Sequence, residues 1–215
     1  MEPFHVEQLR RVLSEGLDEL GIDREPESLG RWEKLALLLE QWSGRINLTG
    51  HRGALAIAER LLLEAAALSQ VLPAAESIAD LGSGAGIPGL PLAICRPNCA
   101  VRMVESRERR HHFQRAAIRA LGLENAVALH GRAEELEVLP SQGVIAQAMA
   151  QPEPALRWMR PWMSPEGWVA LPTSPDAASF HHPDLEQGQV LGYSAPRGPA
   201  RAVWIGRLRN FPARS

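Results

Sequence analysis

Apolar residues in the first third of the chain recur every three or four positions, which is the spacing of amphipathic helices. The pattern predicts a first helix that ends at Gly21, a second helix over residues 29–43 and a third over residues 54–71, closed by Pro73. This part of the chain carries no strand pattern. The first third is therefore predicted to be helical throughout.

From residue 78 onward, short apolar runs alternate with helical segments. Strands are predicted at 78–81, 100–104, 126–129, 143–146, 167–171, 189–193 and 202–208. Helices are predicted at 88–95, 108–121 and 153–163. Alternating strands and helices favour a parallel sheet covered on both faces, whereas the short connection between the last two strands predicts an antiparallel hairpin.

A parallel sheet that ends in an antiparallel hairpin is the pattern of the class I S-adenosylmethionine-dependent methyltransferase fold. We therefore predict an α/β protein with a Rossmann-like, seven-stranded sheet and an N-terminal helical extension. The predicted extension covers residues 1–73, and the predicted methyltransferase domain covers residues 74–215 as one compact unit.

Length and composition narrow the class of protein. The 215 residues suffice for one large α/β domain with an extension. The sequence has no apolar run long enough for a membrane span and no signal-peptide pattern at its start. Its two cysteines are too few for a disulfide scaffold or a zinc site. We expect a cytoplasmic protein, and a monomer.

The net charge of −2 hides an uneven distribution. Residues 1–40 hold ten acids and five basic residues, whereas residues 187–215 hold five arginines and no acid. A second basic cluster surrounds Arg109 and Arg110. Basic patches attract polyanions such as nucleic acids. A solvated, arginine-rich surface explains the same composition, so both interpretations stay open.

The strongest local signal is a glycine-rich turn in which Gly82, Gly84 and Gly86 follow the acidic Asp80. A strand precedes the turn and a helix follows it, so a ligand can lie against backbone without Cβ atoms and face the helix amides. Residues 84–89 also match the dinucleotide fingerprint G-x-G-x-x-G, which is a weak signal alone. The acid before the turn, and the lack of a separate substrate domain, favour S-adenosylmethionine over a dinucleotide.

S-adenosylmethionine suits the polar residues that follow successive strands. Asp80 can hold the ammonium group of the methionyl part, directly or through water, and Glu105 can accept hydrogen bonds from both ribose hydroxyls. Ala133 and Glu134 follow the third strand, where they can border the adenine. Structural explanations remain open for Asp80 as a turn cap, for Glu105 as a helix cap and for Glu134 as a solvated residue.

These residues also carry a family resemblance. The chain resembles the ribosomal RNA small subunit methyltransferase G family, also called glucose-inhibited division protein B, from about residue 29 to residue 209. The most specific part is the tail of the glycine loop, Pro88-Gly89-Leu90-Pro91. Segments 42–49, 104–113 and 131–134 add to the resemblance.

The resemblance implies transfer of a methyl group from S-adenosylmethionine to N7 of one guanine in 16S ribosomal RNA, on the 30S subunit or a partly assembled form of it. The implied RNA-binding residues are Arg109, Arg110 and Arg201. The implied cofactor-binding residues are Asp80, Gly82, Ser83, Gly84, Gly86, Leu90, Glu105, Ala133, Glu134 and Gln147.

Three positions depart from the family pattern. Gln142 stands where the family usually has an acid, Gln147 where it has an arginine near the reaction centre, and Pro172 where it has a lysine. The sequence therefore assigns no catalytic residue. A second hypothesis follows, in which the protein binds the cofactor but acts as a binding or regulatory module. An NAD-dependent oxidoreductase is the third and weakest hypothesis.

Other conspicuous residues are interpreted as ordinary. Trp158 and Trp162 lie four positions apart on a predicted helix, so core packing is favoured over stacking on an RNA base. The pairs His111-His112 and His181-His182 have no third ligand at a suitable spacing. No metal site is predicted.

Overall fold

The apolar stripes of the first third fold into helices in a computed structural model, which describes residues 3–146, 152–176 and 188–207. These helices are α1 (Pro3–Glu19), α2 (Pro26–Ser43), α3 (Ala54–Ile57) and α4 (Leu63–Val71). A π-helical turn, Ala58–Leu62, joins α3 to α4. The predicted third helix is therefore continuous but contains one wider turn that its sequence pattern does not indicate.

The rest of the described chain forms a seven-stranded sheet. Its strands are β1 (Ser77–Leu81), β2 (Ala100–Glu105), β3 (Ala126–His130), β4 (Ser141–Ala146), β5 (Met163–Thr173), β6 (Gln189–Tyr193) and β7 (Arg201–Gly206). The accompanying helices are α5 (Gly89–Cys95), α6 (Glu108–Leu121) and α7 (Pro152–Met159).

The strand order is β3-β2-β1-β4-β5-β7-β6. Strands β1 to β5 pair in parallel, whereas β7 is antiparallel to both β5 and β6. The predicted parallel sheet with an antiparallel terminal hairpin is confirmed.

Two element boundaries between β4 and β5 differ from the prediction. Helix α7 ends before Pro161, because proline lacks the amide hydrogen that a helix interior needs, and a short 3-10 turn follows. Strand β5 begins at Met163, which pairs with Ser141, while Gly143 pairs with Trp168. The intervening bulge takes up the extra residues, so the strand is longer than its apolar run.

Alternation along the strands sends side chains into two buried clusters. Ile78 and Val101 pack on the side of α1 to α6, whereas Leu81 and Val104 pack on the side of α7. The first cluster contains residues of both the N-terminal helices and the sheet. The extension and the sheet therefore share one core, and the division of the chain at residue 73 stays a prediction.

Direct contacts fix helix α2 along helix α6. The Arg31 Nε atom donates a hydrogen bond to the carbonyl of Leu121, at 3.2 Å. Near the other end, the ring of Trp42 meets the ring of Phe113 edge-on, with centroids 5.6 Å apart. Because α6 begins just after β2, these contacts hold the extension beside the carboxyl ends of the parallel strands.

We expect Trp32→Ala to lower the free energy of unfolding by about 3–5 kcal/mol, since Trp32 is fully buried in the shared core and its removal leaves a large cavity. Urea unfolding followed by circular dichroism measures the loss. Lys34→Ala, at an exposed position of the same helix, serves as the control and should change the value by less than about 0.5 kcal/mol. Equal stabilities of the two variants would show that the extension does not contribute to the core.

Candidate functional site

The glycine loop between β1 and α5 is anchored on the end of β2. The Val104 carbonyl accepts hydrogen bonds from the amides of Gly82 and Ser83, at 2.9 and 3.0 Å. It also accepts one from the Ser83 hydroxyl, at 3.2 Å. The loop therefore takes its shape from the neighbouring strand rather than from its own residues alone.

Two glycines of this loop are required for different reasons. Both Gly82 and Gly86 have left-handed backbone geometry, with φ of 70° and 72°. A Cβ atom on Gly86 would lie 2.7 Å from Leu90, which is buried beneath the loop, whereas a Cβ atom on Gly82 would meet only open space. The absence of a side chain at Gly86 thus lets Leu90 pack beneath the loop. At Gly82 it leaves the backbone open to contact by a ligand.

The carboxylate of Glu105 joins the glycine loop to the start of helix α6. Its Oε2 accepts a hydrogen bond from the Gly84 amide at 2.9 Å, and its Oε1 accepts one from the Arg107 amide at 2.7 Å. The side chain is only 5% exposed. Glu105 therefore ties the loop to the start of α6 but does not cap that helix, whose N-cap residue is Arg107. Its hydrogen bonds to ribose stay a prediction.

Asp80 lies entirely inside the protein, beneath the glycine loop. One carboxylate oxygen accepts a hydrogen bond from the Gly89 amide at 3.0 Å, and the other has no partner among the described residues. Burial raises the pKa of Asp80 to about 7, the Gly89 hydrogen bond opposes this shift, and the Glu105 charge adds to it. Its contact with an ammonium group stays a prediction.

Gln114 is a loop-supporting residue that the sequence did not reveal. It is fully buried on α6, and its Nε2 donates hydrogen bonds to the Ser83 hydroxyl at 2.8 Å and to the Gly84 carbonyl at 2.9 Å. The only sequence signal is a polar residue on the apolar face of a helix. Its partners depend on where α6 packs, which periodicity does not specify.

A cavity of about 180 Å³ adjoins the glycine loop on the α7 side of the sheet. It brings together Gly82, Ala133 and Glu134, three of the residues expected around the cofactor. The indole nitrogen of Trp162 donates a hydrogen bond to the Ala133 carbonyl at 3.0 Å. That bond fixes the position of Ala133 in the cavity wall.

The two tryptophans of this region have different environments. Trp162 is buried, as predicted. Trp158 is 38% exposed and lines the cavity, so its assignment to the core is wrong. The helix is amphipathic, but the neighbouring cavity exposes one edge of its apolar face.

The residues around this cavity fit a nucleoside cofactor. Gly82 presents backbone to open space at one wall, and Trp158 presents an aromatic surface at another. Below the loop, one oxygen of the buried Asp80 carboxyl has no partner among the described residues. Ser83 and Leu90 face the interior in this structure and support the loop from beneath.

The arginines expected to bind RNA lie on separate flanks of the same sheet edge. Arg109 and Arg110 stand in the first turn of α6, and the Arg110 Nη2 atom donates a hydrogen bond to the Asn47 carbonyl at 3.2 Å. Arg201 begins β7 and pairs with Glu64 at 3.0 Å. Strands β1, β4 and β5 separate β2 from β7, a span of about 19 Å at about 4.8 Å per strand.

The two described residues that depart from the family pattern, Gln142 and Pro172, lie at opposite edges of the sheet. The side-chain oxygen of Gln142 accepts a hydrogen bond from the Glu76 amide at 2.6 Å, near the amino end of β4 and thus at the edge opposite the glycine loop. Pro172 is exposed near the carboxyl end of β5, opposite Val203. Gln147 lies outside the described residues. Gln142 therefore has a structural role away from the site.

The ring of His111 stacks on the ring of His130, with centroids 5.0 Å apart, and His181-His182 lies outside the described residues. Within the described ranges, no three side chains of the metal-binding types are grouped to hold an ion. None of the described helices is long and apolar enough to cross a bilayer.

Comparison with known sequences identifies relatives along most of the chain. Residues 29–176 match the family model described as rRNA small subunit methyltransferase G. The ribosomal RNA small subunit methyltransferase G of Chromohalobacter salexigens is 33% identical over 201 residues, covering 92% of this chain and 96% of that protein. Its counterpart from Chlorobium limicola is 33% identical over 174 residues, covering 74% of this chain and 79% of that protein.

Solved structures with low sequence identity share the fold. Cofactor-bound Rv0187 from MTB superimposes with a TM-score of 0.55 at 15% identity, covering 83% of this chain and 89% of that one. M. jannaschii TYW2 in complex with AdoMet gives a TM-score of 0.50 at 13% identity, covering 65% and 70%. The sheet order and these likenesses confirm the predicted class I methyltransferase fold.

Gln114→Met is expected to weaken binding of S-adenosylhomocysteine about tenfold, because it keeps the side-chain volume but removes two hydrogen bonds that order the loop. Isothermal titration calorimetry measures the affinity, and circular dichroism shows whether the variant is folded. The exposed Gln41→Met is the matched control. Unchanged affinity in a folded Gln114→Met protein would contradict the role of Gln114 in the loop.

Asp80 should make stability depend on pH. The folded-state pKa of about 7 exceeds the ordinary value of 3.8, so the unfolded chain releases this proton first as the pH rises. The free energy of unfolding should therefore fall between about pH 4 and pH 7, by about 4 kcal/mol at most, and this group adds no further change above that range.

The measurement compares urea unfolding of the natural protein and of Asp80→Asn at pH 5 and pH 8. The natural protein should lose more stability than the variant between these two pH values, because asparagine does not titrate. A parallel loss in both proteins would mean that Asp80 is ionised at both pH values.

Proposed function

The chain belongs to the ribosomal RNA small subunit methyltransferase G family, and we propose that it transfers a methyl group from S-adenosylmethionine to N7 of a guanine in 16S ribosomal RNA. It is a methyltransferase of ribosomal RNA, as its family membership indicates, and its fold agrees with that membership. Three details beyond that activity are proposed: guanine as the target base, N7 as its methyl-accepting atom, and the residues that hold each reactant.

One observation carries the proposal. The glycine loop after β1 and the carboxylate at the end of β2 are joined by the hydrogen bond between Gly84 and Glu105, and the adjoining cavity continues to Ala133 and Glu134 after β3. Polar groups at the carboxyl ends of successive parallel strands are the arrangement in which α/β sheets bind nucleotide-like ligands.

On this proposal, the backbone of Gly82, Gly84 and Gly86 borders the methionyl part of the cofactor. Glu105 accepts hydrogen bonds from the ribose, since each oxygen of an ionised carboxylate accepts more than the one amide bond it now has. Ala133 borders the adenine. The cofactor supplies a methyl group activated by a sulfonium.

Methyl transfer to guanine N7 needs no acid or base from the protein's side chains. Guanine N7 carries a lone pair and no hydrogen, so no base has to remove a proton before transfer. The protein's contribution is to hold the base in line with the methyl group and to exclude competing orientations. This accounts for a site built from backbone and carboxylates, in which no general base has to be assigned.

The alternative of an inactive binding module has less support. Its motivation was the loss of charged residues on the substrate side, yet Gln142 accepts a structural hydrogen bond at the far edge of the sheet. Pro172 is the one described departure at the site's own edge. The family membership favours the enzyme.

The test is methyl transfer to 30S particles from cells that lack the family enzyme. Radiolabelled methyl groups should enter 16S RNA, and borohydride and aniline treatment should then cleave the strand at one guanine, because N7 methylation sensitises that base. Particles already carrying the modification are the control and should accept no label.

Calorimetric titration with S-adenosylhomocysteine accompanies this assay. A folded protein that binds the ligand but labels no particle at any salt concentration would overturn the proposed function in favour of the binding module. Label at a site resistant to the cleavage chemistry would keep the methyltransferase but reject N7 as the acceptor.

A further inference from the structure

A second concavity lies beside the start of helix α6, whereas the proposed cofactor cavity lies on the α7 side of the sheet. The loop between α2 and α3 forms one wall and the first turn of α6 forms the other, around about 520 Å³. Arginines dominate its lining: Arg45, Arg52, Arg107, Arg109 and Arg110. We call it the arginine pocket. The acid among its described lining residues is Glu108.

The guanidinium groups of the arginine pocket have no acidic partner in the part of the chain that the structure describes. Glu108 instead lies 3.8 Å from His112, on the next turn of the helix. Five like charges around one concavity repel one another. Binding of an anion there would reduce this repulsion more than water does.

The pocket is held in shape from both sides. The Arg110 hydrogen bond to the Asn47 carbonyl spans the two walls. At the far end of the loop, the Glu40 carboxylate accepts a hydrogen bond from the Ala54 amide at 3.1 Å, and Leu48 is buried in the core. The loop that carries Arg45 and Arg52 is therefore fixed to the helices of the extension on either side of it.

The pocket also adjoins the glycine loop directly. A Cβ atom built on Gly84 would lie 3.7 Å from the Arg110 Nη1 atom. Gly84 is the residue whose amide is held by Glu105. An anion bound to Arg110 would thus lie close to the glycine loop that borders the proposed cofactor site.

We propose that the arginine pocket binds phosphates of the ribosomal RNA strand that flanks the target nucleotide, with Arg45 and Arg52 of the extension among the contacts. The inference rests on the proposed function, because it places RNA beside the methyl donor. Arginine suits the role, since its planar group forms paired hydrogen bonds with phosphate oxygens. The extension would then be half of the RNA-binding surface.

The test uses the full chain with Arg45→Gln and Arg52→Gln combined. The control combines Arg11→Gln and Arg119→Gln, two exposed arginines outside the pocket, so that both proteins lose the same charge. Binding to unmodified 30S particles is measured by sedimentation between 50 and 200 mM KCl. Each lost phosphate contact should reduce the slope of log affinity against log salt by about 0.7–0.9.

The pocket variant should therefore lose about 1.5 from the salt slope and at least about tenfold in affinity at the lowest salt, beyond any change in the control. Its KM for particles should rise while kcat and the affinity for S-adenosylhomocysteine stay unchanged. Naked 16S RNA should show the same weakening, because the contacts proposed are with phosphates.

Several results would overturn the inference. One is a slope and affinity equal to those of the control. Another is a loss of S-adenosylhomocysteine binding, which would assign the pocket to the cofactor. A third is weaker binding to particles with unchanged binding to naked RNA, which would assign the pocket to a ribosomal protein. Because sedimentation needs no turnover, failure of methyl transfer in the natural protein would reject the proposed function separately.

Discussion

The last two residues of strand β2 hold the site together. The Val104 carbonyl accepts the amide hydrogens that open the glycine loop, and the Glu105 carboxylate accepts one amide from that loop and one from the start of α6. The cofactor cavity, which the loop borders, and the arginine pocket, which the start of α6 lines, therefore depend on the same few hydrogen bonds. A change in the pairing of β1 with β2 would displace both surfaces at once, because the strands set the distance between their ends.

The sequence predicted the parts of the site that follow from strand ends. Asp80 and Glu105 could be assigned to one edge because parallel strands present their carboxyl ends together, and the hairpin was visible in the short final connection. Gln114 could not be found this way, since its contact with the loop depends on how α6 packs. Trp158 was misassigned because periodicity identifies an apolar face but not the cavity that exposes part of it. The bulge in β5 was missed because Pro165 and Gly167 break the apolar pattern without breaking the strand.

The N-terminal extension belongs to the site as well as to the core. Its helices share the buried cluster with the sheet, and the Arg31 and Trp42 contacts fix α2 along α6. One wall of the arginine pocket is thus positioned by helix packing rather than by the loop alone. Because this wall is already ordered, less conformational entropy is lost when a large polyanion binds.

The charge of the arginine pocket has a consequence for what happens after the reaction. A guanine methylated at N7 carries a positive charge that the unmodified base lacks. On the proposed chemistry, the same electric field that draws unmodified RNA toward the enzyme holds the methylated strand less strongly. Dissociation of the methylated RNA is thereby favoured over its rebinding without any movement of the protein. Salt screens this field, so the difference in affinity between unmodified and methylated RNA should decrease as ionic strength rises.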